Sequence, residues 1–428
     1  MLYRTMPKTK DALSILGFGC MRLPQKKGQP GTGKIDEERA ARQVRGAIDR
    51  GVNYLDTGML YHMGRSEPFL GRTLADGYRE RVKIATKLPP WSVRTGDDME
   101  KILSVQLENL RTDRIDYYLL HGIVGETWRK MMDLHVLDFL DKAKKEGRIL
   151  HAGFSFHGDR DLFKEIIDSY DWEFCQIQYN YLDEENQAGT AGLRYAASKG
   201  LGVVVMEPLR GGNLAKRIPA LEKIWQESEK RRTPAEWALR WVWNHPEVTV
   251  VLSGMNDEKQ IEENLRIADE AFPDSLTEKE LSLVARAGET YRGLMKAGCT
   301  GCRYCMPCPS GVDIPKCFEI YNNAAMFGGT MVDRFNYIAW TSGRMGGKPS
   351  FASLCKECGK CEKACPQHLP IPELLRDVAG SFERWWFKPA AWALEQFFAI
   401  DTWGLRRKAR KSERLTRKGH DSARRAEG

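Results

Sequence analysis

Residues 52–61 read Val-Asn-Tyr-Leu-Asp-Thr-Gly-Met-Leu-Tyr, an apolar β-favouring run followed by a loop. Asp56 stands where the predicted strand ends, and Tyr61 follows it five positions later. A carboxylate at the buried end of a strand must pair with a cation or lose its charge. The stretch therefore predicts a chemical site to which another strand end contributes a cation.

Two further ionisable residues follow apolar strand-like runs in the same way. Lys87 follows the run 82–86, and His121 follows the run 115–120. In a barrel of parallel strands, the carboxyl ends of the strands meet at one face. The sequence thus predicts one shared catalytic site of four residues: Asp56, Tyr61, Lys87 and His121.

Eight strand-like runs alternate with segments of helical periodicity before about residue 290. The runs span residues 15–20, 52–56, 82–86, 115–120, 149–154, 174–178, 202–206 and 248–252. Eight βα repeats predict an α/β fold, a (β/α)8 TIM barrel over residues 1–285. A doubly wound sheet is disfavoured because no strand-like run leads into a Gly-x-Gly-x-x-Gly turn. Asp36 is predicted to cap the helix after the first run, and Gly51 to follow that helix.

Composition limits the classes of protein to which the chain can belong. It has 428 residues, of which 42 % are hydrophobic, enough for a barrel and a smaller appendage. Much of the net charge of +8 lies in residues 406–425, which are expected to be disordered. The body lacks the interleaved basic and aromatic residues of a nucleic-acid-binding face. The absence of a visible signal peptide or transmembrane run predicts a cytoplasmic protein.

Eight of the eleven cysteines fall into two groups, which in a reducing compartment indicates metal binding rather than disulfides. The groups are Cys299, Cys302, Cys305 and Cys308, then Cys355, Cys358, Cys361 and Cys365. In each group three cysteines recur at every third position and the fourth precedes proline, as in 4Fe–4S ferredoxins. Zinc bound by Cys-x-x-Cys pairs is the alternative.

In two-cluster ferredoxins the fourth cysteine of each run ligates the other cluster. The sequence therefore predicts two [4Fe–4S] clusters with exchanged fourth ligands. One cluster takes Cys299, Cys302, Cys305 and Cys365, and the other takes Cys355, Cys358, Cys361 and Cys308. Helix-like stretches between the groups predict a small α-helical ferredoxin-like domain over residues 290–380. The isolated Cys20, Cys175 and Cys317 are predicted to be buried in packing.

The four catalytic candidates resemble, in order and spacing, the tetrad of the aldo-keto reductase superfamily, over roughly residues 1–285. The cysteine runs resemble the branch of that superfamily with a C-terminal two-cluster ferredoxin-type domain. The resemblance implies an NAD(P)H-dependent oxidoreductase that reduces a small-molecule carbonyl or oxidises the corresponding alcohol. Tyr61 then donates the proton, Lys87 lowers its pKa, Asp56 holds the lysine, and His121 orients the carbonyl or shares the proton.

The resemblance also implies contacts to a nicotinamide cofactor. Ser155 and Gln176 match residues that hold the carboxamide, and Met206 replaces the stacking aromatic residue. A loop with Leu209, Gly211 and Gly212 fits the pyrophosphate, whereas Glu263 and Asn264 match the adenine-side pair.

Three positions depart from the pattern of the superfamily. Phe156 stands in place of the usual asparagine after the serine. Gly254 and Gln260 stand where NADPH-specific relatives place cations that clamp the 2′-phosphate, so the balance favours NADH slightly. Lys259 and Arg210 lie nearby in sequence and are candidate substitutes for those cations.

Clusters pass single electrons, whereas a nicotinamide passes a hydride, and no flavin-binding pattern is evident to connect the two. The leading interpretation is a reductase whose clusters carry electrons. The alternative is an electron-transfer protein whose barrel is a scaffold or binds another cofactor. Because no flavin-binding pattern is evident, the clusters of the reductase are expected to serve a redox partner protein, a bound flavin or stability alone. The segment 381–428, first aromatic and then basic, is expected to pack on its own protein or to contact a membrane peripherally.

Overall fold

The computed structural model describes residues 1–26, 34–299, 301, 303–329, 331–343, 348–365, 367–387 and 389–390. The chain divides into two compact units, Met1–Arg292 and Gly293–Gly428. Cys302 and the basic tail lie outside the described residues.

The first unit is a closed barrel of eight parallel strands, which confirms the predicted (β/α)8 fold. The strands are β1 (Tyr3–Thr5), β2 (Ala12–Ser14), β3 (Leu16–Gly19), β4 (Tyr54–Asp56), β5 (Lys83–Leu88), β6 (Ile115–Ile123), β7 (Ile149–Phe156), β8 (Phe174–Gln178), β9 (Gly202–Met206) and β10 (Val248–Ser253). Strands β3 to β9 follow one another around the barrel, and β10 closes it between β9 and β3.

Helices follow the barrel strands along the chain. They are α1 (Glu37–Asp49), α2 (Ser66–Thr73), α3 (Gly96–Leu110), α4 (Gly125–Asp133), α5 (Val136–Lys145), α6 (Arg160–Asp168), α7 (Gly189–Ser198), α8 (Pro219–Gln226), α9 (Pro234–Trp243), α10 (Glu258–Ala268) and α11 (Glu278–Gly293). The predicted ends of α1 are confirmed, because the Asp36 carboxylate accepts a hydrogen bond from Arg39 N at 3.4 Å. Gly51 follows with φ of +98°, a conformation that glycine adopts without strain.

A hairpin that the sequence did not predict closes the amino-terminal end of the barrel. Strands β1 and β2 pair antiparallel, and Met6 and Leu13 of this hairpin are fully buried in the barrel interior with Tyr54 and Phe174. Met6 Sδ lies only 1.6 Å from where a Cβ on Gly202, the first residue of β9, would be. Glycine at this position therefore leaves room for Met6 of the hairpin, which acts as a plug at this end of the barrel.

The described part of the second unit is helical, which confirms the predicted α-helical domain. Its helices are α12 (Ile314–Phe327), α13 (Met331–Thr341), α14 (Lys360–Ala364) and α15 (Ile371–Phe382). Phe318, Tyr337 and Leu375 are buried in a core to which several of the grouped cysteines contribute. Among the described residues, no helix has both the length and the apolar character needed to cross a membrane.

Candidate functional site

The four catalytic candidates lie at the carboxyl end of the barrel. Asp56 is the last residue of β4, Lys87 is the penultimate residue of β5, and His121 lies near the end of β6. Tyr61 lies in the loop between β4 and α2. The parallel pairing of β4 with β5 and of β5 with β6 brings these side chains to one face.

Lys87 and Asp56 form a buried ion pair. Lys87 Nζ donates hydrogen bonds to both carboxylate oxygens of Asp56 at 2.7 Å and to Thr57 O at 2.6 Å. The lysine side chain is only 1 % exposed. Burial lowers the pKa of Lys87, but the charges of Asp56 and Tyr61 and their hydrogen bonds raise it by more. The pKa of Lys87 therefore ends above its ordinary value, and the ammonium keeps its charge.

Tyr61 lies beside this ammonium, with Lys87 Nζ 4.9 Å from the centroid of the phenol ring. Burial raises the pKa of Tyr61, and the charge of Lys87 offsets only part of that rise. The prediction that Lys87 leaves Tyr61 with a lowered pKa is therefore wrong in its net direction, because desolvation disfavours the phenolate by more. The phenol consequently carries its proton at neutral pH, as a proton donor must.

His121 completes the group, with its ring centroid 5.9 Å from that of Tyr61. Burial, and then the positive charges of Lys87 and His157, lower the pKa of His121 well below its ordinary value. The imidazole is therefore neutral at pH 7. Its Nδ1 atom is buried without a hydrogen-bond partner in the part of the chain that the structure describes. A neutral imidazole can orient a substrate oxygen, but it does not act there as a cationic acid.

Trp91 is a neighbour of the site that the sequence analysis missed. Its ring centroid lies 5.0 Å from that of His121, and its indole Nε1 is buried with no partner among the described residues. A Cβ placed on Gly122 would lie 3.7 Å from Trp91 and 3.8 Å from His157, so these two side chains flank the site. The available signal was an aromatic residue in a proline-bounded turn directly after the strand that carries Lys87.

We expect Asp56→Ala to lower the free energy of unfolding by about 3–5 kcal/mol, because it leaves the buried Lys87 charge without its partner. The double variant Asp56→Ala, Lys87→Met should recover much of that loss, since both charges are removed. Asp49→Ala is the matched control. Its ion pair with Arg81 is exposed and screened by solvent, so its loss should change the stability little. Urea unfolding followed by tryptophan fluorescence measures all three variants, and a single variant no less stable than the double would contradict the prediction.

The residues predicted to hold the nicotinamide lie on neighbouring strands. Ser155 of β7 pairs directly with Gln176 of β8, and Ser155 Oγ accepts a hydrogen bond from Gly122 N at 2.7 Å. Gln176 Nε2 lies 3.4 Å from Met206 Sδ at the end of β9. Gln176 Oε1 is buried and has no hydrogen-bond partner within the described ranges. A buried, unsatisfied acceptor beside a hydroxyl fits a carboxamide, which brings two N–H donors.

The loop after β9 carries the residues that are predicted to contact the pyrophosphate. Leu209 precedes a short 3-10 segment, Arg210–Ala215, in which Gly211 has φ of +68° and Gly212 has φ of +93°. Residues with a Cβ adopt these conformations only with strain. Arg210 pairs with Asp183, with Nε 3.3 Å from Oδ2, and its side chain is only 10 % exposed. Arg210 is therefore held by an acid rather than presented for a phosphate.

The adenine-side candidates both lie on α10. Asn264 is buried and donates a hydrogen bond from Nδ2 to Ser253 Oγ at 3.0 Å. Glu263 Oε1 accepts a hydrogen bond from Thr233 Oγ1. Lys259 is exposed at the start of the same helix.

Two cavities in the second unit collect the grouped cysteines. The larger, of about 420 Å³, is lined by Cys305, Cys308, Cys355, Cys358 and Cys361. The smaller, of about 20 Å³, is lined by Cys299, Cys305 and Cys365. The fourth cysteine of each run thus faces the cavity of the other run. Cys302, predicted to join Cys299 and Cys305, lies outside the described residues.

The spacing of these thiols bears on the zinc alternative. In the described part of the chain, no three His, Cys, Asp or Glu side chains are grouped as they would be around a single metal ion. Thiolates on one zinc ion lie about 3.8 Å apart, given tetrahedral Zn–S bonds of about 2.3 Å. Cubane ligands are spaced more widely because each binds a different iron atom. The two alternatives thus differ in the spacing that they require of their thiolate ligands.

The three isolated cysteines are fully buried, as predicted: Cys20, Cys175 and Cys317. Burial raises the pKa of each thiol above its ordinary value, so none is a reactive thiolate at neutral pH.

Comparison with known proteins agrees with both units. The model of the aldo/keto reductase family matches residues 15–283, and that of a 4Fe-4S dicluster domain matches residues 298–369. L-galactose dehydrogenase of Arabidopsis thaliana is 25 % identical over 311 residues, covering 68 % of this chain and 95 % of its own. Aflatoxin B1 aldehyde reductase member 2 of Rattus norvegicus is 25 % identical over 292 residues, covering 55 % of this chain and 77 % of its own. Among solved structures, aldo-keto reductase AKR11C1 of Bacillus halodurans is 28 % identical with a TM-score of 0.55. The match covers 67 % of this chain and 96 % of that chain.

Proposed function

The chain belongs to the aldo/keto reductase family and is an oxidoreductase with a 4Fe-4S domain, and from this premise we propose its reaction. Residues 1–285 transfer hydride between NADH or NADPH and a small-molecule carbonyl or alcohol. Residues 290–380 hold two [4Fe–4S] clusters that carry electrons. The observation that carries the first part of the proposal is the buried pair of Lys87 and Asp56 beside the protonated phenol of Tyr61.

The chain's own residues donate the proton and orient the substrate. When bound, the nicotinamide supplies the hydride that adds to the carbonyl carbon. Tyr61 donates its proton to the carbonyl oxygen as negative charge develops there. The Lys87 ammonium stabilises the phenolate that remains, and Asp56 fixes the lysine in position. Neutral His121 and the indole N–H of Trp91 supply polar atoms that can orient the carbonyl.

The nicotinamide assignment is supported by the unsatisfied Gln176 Oε1 and the neighbouring Ser155, which fit a carboxamide. Met206 covers the ring through its polarizable sulfur, in place of an aromatic residue. We propose Leu209, Gly211 and Gly212 for the pyrophosphate, and Glu263 and Asn264 for the adenine side. Because Gly254 and Gln260 bring no charge to the 2′-phosphate position, the proposal favours NADH slightly.

The cluster ligands are proposed with exchanged fourth cysteines. One cluster takes Cys299, Cys302, Cys305 and Cys365, and the other takes Cys355, Cys358, Cys361 and Cys308. The lining of the two cavities supports this exchange, because Cys308 shares its cavity with the second run and Cys365 shares its cavity with the first. A cluster held in the larger cavity would supply one-electron chemistry close to the protein surface, since Cys358 is exposed.

The proposal is tested by purifying the whole protein without oxygen, counting iron and sulfide, and adding NADH or NADPH alone. We expect about eight iron atoms per chain, a fall in visible absorbance and a new EPR signal with the preferred nucleotide. A test aldehyde should then oxidise that nucleotide. Clusters that stay oxidised while the aldehyde is still reduced would show that the two units work separately.

A second candidate function is electron transfer with the barrel as a scaffold. It is favoured by the exposed Cys358 and by Lys356 and Lys360, which line the larger cavity where an acidic one-electron partner could approach. It is also favoured by the departures from the nicotinamide contacts of the superfamily, at Phe156, Met206, Gly254 and Gln260. Protein that gives no aldehyde-dependent oxidation of either nucleotide, yet has reducible clusters, would support this second candidate.

A further inference from the structure

One arginine links two glycines of the proposed nucleotide site. Arg22 lies in the 3-10 turn after β3, and its Nη1 donates a hydrogen bond to Gly211 O at 2.7 Å. Its Cβ, Cγ and Cδ atoms lie 3.3–3.6 Å from where a Cβ on Gly254 would be. The side chain thus runs across the end of β10 and places its guanidinium against the loop that follows β9.

This position explains why glycine stands at residue 254. A long cationic side chain at that position and the side chain of Arg22 would compete for one space, since Arg22 already lies so close that even a single added Cβ would force it to adjust. Arg22 thus brings a cation to this edge of the barrel from the turn after β3.

Two arginines near this edge, Arg39 and Arg210, are paired with acids. Arg39 bonds Glu258, with Nε 2.8 Å from Oε1, and also contacts Asp257, whereas Arg210 pairs with Asp183. Arg22 is exposed and makes no ion pair among the described residues. Its bond to a neutral carbonyl is weaker than a bond to a phosphate oxygen, which would be charge-assisted on both sides.

We propose that Arg22 binds the pyrophosphate of the nicotinamide dinucleotide and holds it against the Gly211 loop. The ligand is the pyrophosphate, because the guanidinium lies against Gly211 of the loop that we propose for that group. Both nucleotides carry a pyrophosphate, so Arg22 contributes equally to NADH and NADPH. This inference rests on the proposed nicotinamide chemistry of the barrel.

The test is fluorescence titration of the whole protein with NADH and with NADPH. Arg22→Ala should weaken both by a similar factor of about tenfold or more, as expected for loss of a hydrogen bond to a charged group. Arg22→Lys should recover part of the affinity because it keeps the charge, whereas Arg22→Gln, which keeps only a neutral donor, should not. Arg42→Ala, which removes an exposed arginine of α1, is the matched control and should leave both affinities unchanged.

The possible outcomes distinguish failure of this inference from failure of the proposed function on which it rests. Unchanged affinity of Arg22→Ala, or a loss confined to NADPH, would overturn the pyrophosphate assignment while leaving the nicotinamide site in place. If Arg22→Lys and Arg22→Gln recover the nucleotide affinity equally, Arg22 acts only by holding the Gly211 loop through a hydrogen bond. That result would also overturn the pyrophosphate assignment. If the unaltered protein binds neither nucleotide, the proposed function fails, and the role of Arg22 fails with it.

Discussion

Tyr61→Phe is expected to lower the rate of carbonyl reduction by about 10²–10⁴-fold, because it removes the proton that the developing alkoxide needs. The ring beside Lys87 is kept, so the fold should be unchanged. Steady-state oxidation of the preferred nucleotide by a test aldehyde measures the effect, which should appear in kcat with little change in the nucleotide affinity.

Tyr54→Phe is the matched control for that variant. Tyr54 is fully buried, its hydroxyl has no hydrogen-bond partner among the described residues, and no proposed step uses it. The same chemical deletion should therefore leave turnover near its original level. Turnover in Tyr61→Phe equal to that of Tyr54→Phe would contradict the role of Tyr61 and favour the electron-transfer function.

The raised pKa of Tyr61 gives the reaction a defined pH dependence. Because burial holds the phenol protonated, the rate of reduction should not fall as pH rises through neutrality. It should decline only above the ordinary tyrosine pKa of about 10, where the proton donor is lost. A decline centred near pH 7 would indicate a different acid.

The second large effect concerns the iron content of cysteine variants. Cys299→Ser and Cys365→Ser should each remove one cluster, or about half of the iron, and the double variant should lose no more than either. The double variant Cys355→Ser, Cys365→Ser should instead lose nearly all the iron, although both residues belong to one run. These outcomes follow from the exchanged fourth ligands that the cavity linings support.

Iron and sulfide analysis with EPR measures the loss in protein purified without oxygen. Cys317→Ala is the control, because this buried cysteine belongs to neither run and should keep the full iron content. The prediction is contradicted if the double variant Cys355→Ser, Cys365→Ser loses only half of the iron while Cys299→Ser, Cys365→Ser loses nearly all of it. That result would show that each cluster is bound by the four cysteines of one run.

The barrel was predictable from the sequence because eight apolar runs alternate with segments of helical periodicity, a repeat that does not depend on the length of any one strand. The hairpin of β1 and β2 was not, since each strand has only three residues and its burial depends on the barrel that it closes. Local sequence carries no signal for such a plug. The helical character of the second unit was predictable from the helix-like stretches between its two cysteine runs.

The candidate catalytic residues could be predicted from the sequence. Their pKa values and some of the residues that contact them could not. The catalytic candidates follow from strand ends, whereas the net pKa of Tyr61 depends on how deeply the fold buries it. Arg22 and Gly254 are more than two hundred residues apart, and only closure of β10 against β3 brings them together. Trp91 likewise becomes a site residue through its contact with His121.

The hairpin plug has a consequence for the kinetics of the enzyme. Because Met6 and Leu13 fill the amino-terminal end of the barrel, both reactants have to arrive through the opposite end. Ser155 and Gln176 are nearly completely buried, at 1 % and 2 % exposure, whereas His121 is partly exposed. A carbonyl compound seated at His121 would therefore obstruct the way to the deeper positions. Turnover should follow a compulsory order, in which the dinucleotide is the first reactant to bind and the last product to leave.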